Sequence, residues 1–213
     1  MDFSAYYSEF LTIAIAHLLA VASPGPDFAI VVKQSLTRDR KAALYTSAGI
    51  GTAILLHVCY SLFGIALVIK SNPGLFSYLS YLAAAYLAYL GIMGLRAKPQ
   101  SMAHVAVDSA LSQQSAWRSY ITGFLVNGLN VKATLFFLSL FSVIISIDTP
   151  TQIKAIYGLY MALATFAWFA MLSVMLTWPP FRRRLQQNGY WIERAMGLML
   201  LILALNIVIQ AMQ

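Results

Sequence analysis

Six stretches of this chain are each about 20 residues or more long and mostly apolar, and that recurrence limits the folds open to it. A helix needs roughly 20 apolar residues to cross the hydrocarbon core of a bilayer. The stretches run over about 10–36, 42–69, from Asn72-Pro73-Gly74 to about 95, 119–147, 153–178 and 190–212. A soluble core of 213 residues could not hide so many. Composition agrees: 60% of residues are hydrophobic and 10% charged, against roughly 45–50% and about 25% in soluble domains. The expected fold is all-α, a polytopic membrane protein with six transmembrane helices in one domain, 1–213. Two three-helix halves, 1–95 and 119–213, are joined by a polar loop, 96–118. No Lys or Arg precedes Lys33, so the first stretch reads as a retained helix rather than a signal peptide.

Basic residues near span ends favour the cytoplasm. Eleven of the 14 Lys and Arg residues fall in the first, third and fifth connections, among them Arg38, Arg40, Arg96, Arg118, Arg182, Arg183, Arg184 and Arg194. The second and fourth hold only Lys70 and Lys154. Both termini are therefore expected outside. The net charge of +7 reports topology, with Arg182 to Arg184 as an anchor, and not a nucleic-acid footprint. Trp117, Trp178 and Trp191 lie at predicted cytoplasmic span ends, as an aromatic belt requires, whereas Trp168 falls mid-span. Because each half holds three spans, the halves enter the membrane in opposite senses, which is the geometry of a 3+3 inverted repeat.

Two segments violate the apolar pattern. The first span contains Ser23-Pro24-Gly25-Pro26-Asp27. Two prolines remove two backbone donors and clash with the preceding turn, so the helix breaks. The carbonyls freed there must face protein or a water-filled cavity. Asp27 opens the second half-helix, where a carboxylate suits the positive dipole end. The fourth span contains Asn127-Gly128-Leu129-Asn130-Val131-Lys132. Lacking a proline, it is loosened rather than compelled to break. Lys132 either stays in the span as a costly charge or snorkels to an interface. Both segments lie about 15 Å from the predicted cytoplasmic ends, near the midplane of a roughly 30 Å core. Interrupted helices at that depth point to a transport site.

At these residues the chain resembles the lysine exporter (LysE/RhtB) family of bacterial amino-acid exporters, over its whole length. The run HLLAVASPGPDF, from His17 to Phe28, looks most like the threonine and homoserine exporter branch. The family's fourth-span pattern, Asn-Pro-Lys-Ala, stands here as Asn130-Val131-Lys132-Ala133, with the proline absent. The resemblance implies a multi-pass protein of the bacterial inner membrane. It implies secondary active efflux of amino acids or their derivatives, neutral or basic, driven by the proton motive force, and it is compatible with a homodimer. It places substrate binding on Pro24, Gly25, Pro26, Asp27, Asn130 and Lys132; the residues themselves add Asn127 to the binding candidates, and Asp27 and His17 as proton-relay candidates.

Other features carry less. His57 is a second in-span histidine, either a packing residue or a relay. Tyr78, Tyr81, Tyr86 and Tyr89 share one side of the third span, where they either line a pathway or serve as packing and belt residues. Ser47 and Gly51 form a small-xxx-small helix contact. Cys59 alone excludes a disulfide framework. No His or acidic residues have metal-ligand spacing, and no cofactor is expected. Neither Gly-x-Ser-x-Gly nor His-Glu-x-x-His is present, which disfavours an intramembrane enzyme. A non-transporting membrane subunit remains the alternative at this point.

Overall fold

The computed structural model describes residues 6–23, 25–37, 40–71, 73–98, 115–146 and 148–211. These are mostly helical, with no strand among them. In order they form α1 (Tyr7–Ala22), α2 (Pro26–Thr37), α3 (Arg40–Ser71), α4 (Pro73–Leu95), α5 (Ala116–Gly128) and α6 (Val131–Ser139). A π-helical turn (Leu140–Ile144) continues α6, and α7 (Thr151–Met175) and α8 (Pro179–Ala211) follow. Helices suit a lipid environment because they satisfy every backbone donor and acceptor internally. Pro26, Pro73 and Pro179 each stand at a first helical position, where a missing N–H costs nothing. The Pro179-Pro180 pair, expected to close the fifth span, therefore also starts α8, which carries Arg182, Arg183 and Arg184 on a helix rather than in a loop.

Two helices are long and apolar enough to cross a bilayer unaided, over Arg40–Phe63 and Thr151–Met175. Two more crossings exist if each bent pair counts as one: α1 with α2, bent by 57°, and α5 with α6, bent by 56°. The expected third and sixth spans fall on α4 and α8. Among the described residues their apolar windows are shorter, Ala84–Leu95 and Gly197–Ile209. Ile156, Leu159, Leu163 and Phe166 are exposed along one face of α7, while Tyr157, Met161, Thr165 and Phe169 are buried on the other. An apolar outer face over an equally apolar inner one is the signature of lipid contact.

Glycines set the helix crossings. A Cβ added at Gly49 of α3 would collide with the Tyr120 carbonyl oxygen, and one at Gly123 of α5 with the Thr46 carbonyl oxygen. Thr46 Oγ1 also donates to the Ser119 carbonyl across this crossing, at 3.2 Å. In the α4–α8 crossing, a Cβ on Gly91 would stand 2.8 Å from the Gly197 carbonyl oxygen, and one on Gly197 2.5 Å from that of Gly91. Such contacts are the membrane use of small residues, letting backbones meet directly. The Ser47 and Gly51 pair is a packing contact too. Ser47 Oγ lies 3.3 Å from Ser173 Oγ, and Gly51 packs on Phe166, so both join α3 to α7.

The apolar core gathers Ile13, Ile54, Leu87, Phe137, Leu140 and Met161, of which Ile54 and Phe137 also line the cavity between the two breaks. At the start of α1, Glu9 accepts from Ser146 N at 2.9 Å and from Thr149 Oγ1 at 3.0 Å. Tyr157 donates to the Tyr6 carbonyl at 3.2 Å. These bonds tie the beginning of the first rod to the turn ahead of α7.

Candidate functional site

Each break is held open by its own local chemistry. The first helix ends as the Ser23 N–H closes on the Leu19 carbonyl at 3.2 Å, and the Gly25 carbonyl begins α2 by accepting from Ala29 N at 2.9 Å. In the fourth rod no proline is needed. Leu129 N closes on the Leu125 carbonyl at 3.0 Å, and Asn130 N on that of Asn127 at 2.8 Å. Asn130 is extended (φ −76°, ψ 105°) and caps α6, its side chain accepting from Lys132 N at 3.0 Å. An asparagine that offers the backbone a side-chain partner stops one helix and starts the next. The break expected to be the weaker bends as sharply as the proline-driven one.

The breaks meet through side chains. Asn127 Nδ2 and Asn130 Nδ2 both donate to Asp27 Oδ2, each at 3.0 Å. Asn127 is 1% exposed and Asn130 6%, so both amides are removed from solvent and depend on this carboxylate. Lys132 Nζ donates to the Ser23 carbonyl at 3.1 Å, supplying a partner for a carbonyl at the first break. Lys132, a substrate-binding candidate from sequence, thus bridges the two broken rods. Tyr86 OH donates to the Lys132 carbonyl at 3.1 Å, which brings one of the four third-span tyrosines to the site. Tyr78, Tyr81 and Tyr89 are exposed on the outer surface.

His57 is fully buried behind the second break. Its Nε2 lies 3.0 Å from the Asn127 carbonyl, and its Nδ1 bonds to Tyr60 OH. A carbonyl only accepts, so Nε2 carries the proton and, in the neutral ring, Nδ1 accepts from the tyrosine. The ring stacks on Phe137 at 5.5 Å. His57→Phe keeps that stack and deletes both polar bonds. It should destabilise the protein by about 1–3 kcal/mol, read as a lower unfolding midpoint in detergent.

A cavity of about 40 Å³ lies between the breaks, lined by Gly25, Asp27, Asn127, Asn130 and Lys132 together with His17. It holds on the order of three waters, so a bound metabolite must widen it. Of the residues named from sequence, these six line it. Pro26 opens α2 with its ring exposed, and Pro24 lies outside the described residues. Sequence reasoning missed Thr165 and the aromatic wall of Phe136, Phe137 and Phe169, for which no local pattern gave a signal. His17 does not contact Asp27; its Nε2 lies 3.1 Å from Thr165 Oγ1. Two buried acceptors, Asp27 Oδ1 and Asn127 Oδ1, have no partner among the described residues. With Lys132, the wall offers acceptors for an ammonium beside a donor for a carboxylate. No group of three or more potential metal ligands occurs among the described residues.

Comparison with known proteins places this architecture. The family model for the LysE type translocator matches residues 18–211. The chain belongs to the LysE type translocator family. This LysE-type protein is thus a membrane transporter and not an enzyme. It is 30% identical over 190 residues to the threonine efflux protein of Escherichia coli (strain K12), covering 88% of this chain and 91% of the relative. It is 32% identical over 144 residues to the leucine efflux protein of Salmonella choleraesuis (strain SC-B67), covering 67% and 66%. No solved structure matches the chain.

Proposed function

We propose that this LysE-type protein exports a small amino acid from the bacterial cytoplasm by alternating access, driven by protons. The observation that carries the reading is the meeting of two broken rods on one cavity whose wall pairs the Asp27 carboxylate with the Lys132 ammonium. A free amino acid is a zwitterion, and the wall matches it in both signs. The substrate's ammonium goes to Asp27 Oδ1 and Asn127 Oδ1, the buried acceptors without partners among the described residues. Its carboxylate draws Lys132 from the Ser23 carbonyl, so binding loosens one bridge between the broken helices. The names of the relatives, threonine and leucine efflux proteins, support the same class of cargo.

In this reading the six rods make six crossings, arranged as a 3+3 inverted repeat with both termini outside. The broken rod comes first in each half, and the breaks sit near the midplane. Asp27 is the acidic residue deepest in the predicted spans and carries the coupled proton, releasing its amide partners when protonated.

Cells expressing the protein should tolerate toxic amino-acid analogues and accumulate amino acid in the medium, and a protonophore should stop both. Purified protein that moves no amino acid across liposomes, with or without a proton gradient, sinks the reading. A C-terminal reporter active only in the cytoplasm should stay silent; a strong signal reverses the orientation.

A further inference from the structure

The cavity has a second polar pole. His17 is 0% exposed and Thr165 1%. The two come from α1 and α7, 148 positions apart in sequence, and both line the cavity that holds Asp27 and Lys132. Much of the remaining lining is apolar, with Ala20, Val21, Ile54, Phe137 and Phe169. His17 Nε2 is engaged by Thr165 Oγ1 at 3.1 Å. His17 Nδ1 is buried and has no partner among the described residues. Phe137, edge-on at 6.0 Å, and Phe136, at 6.4 Å, hold the imidazole ring in place.

A buried ring nitrogen without a partner is expensive. The neutral ring has one donor and one acceptor. If Nε2 holds the proton, Nδ1 is a bare acceptor; if Thr165 donates to Nε2, Nδ1 is an unmatched donor. A hydroxyl satisfies either state, because it both donates and accepts. An alkyl group satisfies neither, and a charged group would meet no opposite charge at this pole.

We propose that His17 and Thr165 are the specificity-determining pair of this transporter, reading a hydroxyl on the substrate's side chain while Asp27 and Lys132 hold its zwitterionic end. The inference rests on the amino-acid exporter reading and deepens it. His17 then serves as a recognition residue, and the relay suggested by sequence falls to Asp27 alone. The aromatic wall limits the length of side chain between the poles. A site built to bond a hydroxyl rejects the analogue without one far more strongly than an apolar pocket rejects an added methyl.

Threonine and valine form the discriminating pair, since they differ only by a hydroxyl in place of a methyl. Purified protein in liposomes preloaded with unlabelled amino acid is assayed for counterflow of each labelled one. Wild type should favour threonine. In Thr165→Val and His17→Phe the threonine-to-valine ratio should fall by about 10- to 100-fold, and Thr165→Ser should restore most of the preference. If Thr165→Val does not fold, His17→Phe and Thr165→Ser still report the ratio. A wild type that moves valine as well as threonine, or variants that lower both equally, overturn the assignment while leaving the exporter intact. A wild type that moves neither these nor any other amino acid overturns the exporter reading itself.

Discussion

Asp27→Ala is expected to cut export by about 100- to 1000-fold. Asp27 Oδ2 is the acceptor for two buried amides, those of Asn127 and Asn130, and each belongs to the break in the other half of the molecule. Alanine strands both donors and removes the negative charge that lines the cavity with Lys132. Taking one partner from a buried charged pair costs about 3–5 kcal/mol, chiefly because the other charge is left uncompensated. Each 1.4 kcal/mol is about a factor of ten. Asp27→Asn separates the causes. It preserves the size and one acceptor oxygen but neither the charge nor the proton site. The Asp27→Asn variant should therefore remain folded in detergent while net export driven by a proton gradient is lost. Export by Asp27→Ala at the wild-type rate would remove Asp27 from the site.

Gly123→Val should yield no folded protein. Its Cβ would collide with the Thr46 carbonyl oxygen, with the Thr46 carbonyl carbon 2.9 Å away and its Cα at 3.1 Å. These are backbone atoms, which cannot rotate aside. The helices would have to separate along a crossing that includes the Thr46 to Ser119 bond. The cost exceeds about 4–5 kcal/mol, the range reserved for a named structural failure, and the Gly49 substitution should behave alike. Gly128→Ala is the control. The nearest atom to a Cβ there is Leu56 Cδ2 at 3.6 Å, an ordinary contact, so that variant should express normally. Membrane yield and a monodisperse peak in detergent decide the comparison; a well-behaved Gly123→Val protein would show that the crossing is looser than its backbones indicate.

The sequence made some of this legible and hid the rest, for physical reasons. Pro26 announces its break because a proline ring acts on its own helix wherever the chain goes. Asn130 does not, because the same residue caps one helix or merely loosens another depending on whether its amide finds a partner. That partner is Asp27, 103 positions away. Lys132 was legible as a costly charge in an apolar run, yet its acceptor, the Ser23 carbonyl, belongs to the other half. Ser47 and Gly51 show themselves by their spacing on one helix. Gly49 and Gly123 are single residues on different helices, and nothing in either segment names the other. Thr165 reads as one more small residue in α7 until His17 is placed beside it.

The glycine crossings have a mechanical consequence. Where backbone lies on backbone, as between α3 and α5 or α4 and α8, no layer of flexible side chains exists to absorb a shear. Those four helices form a stiff chassis, and α5 carries the second break with it. The first rod is fixed differently, through Glu9 near its start, and through the Ser23 carbonyl on Lys132 and Asp27 on Asn127 and Asn130 to either side of its break. Three polar latches can open one at a time, which a welded seam cannot do. Under the proposed alternating access, the stroke that turns the cavity from one side of the membrane to the other falls to the proline-broken rod, swinging against a frame that stays still.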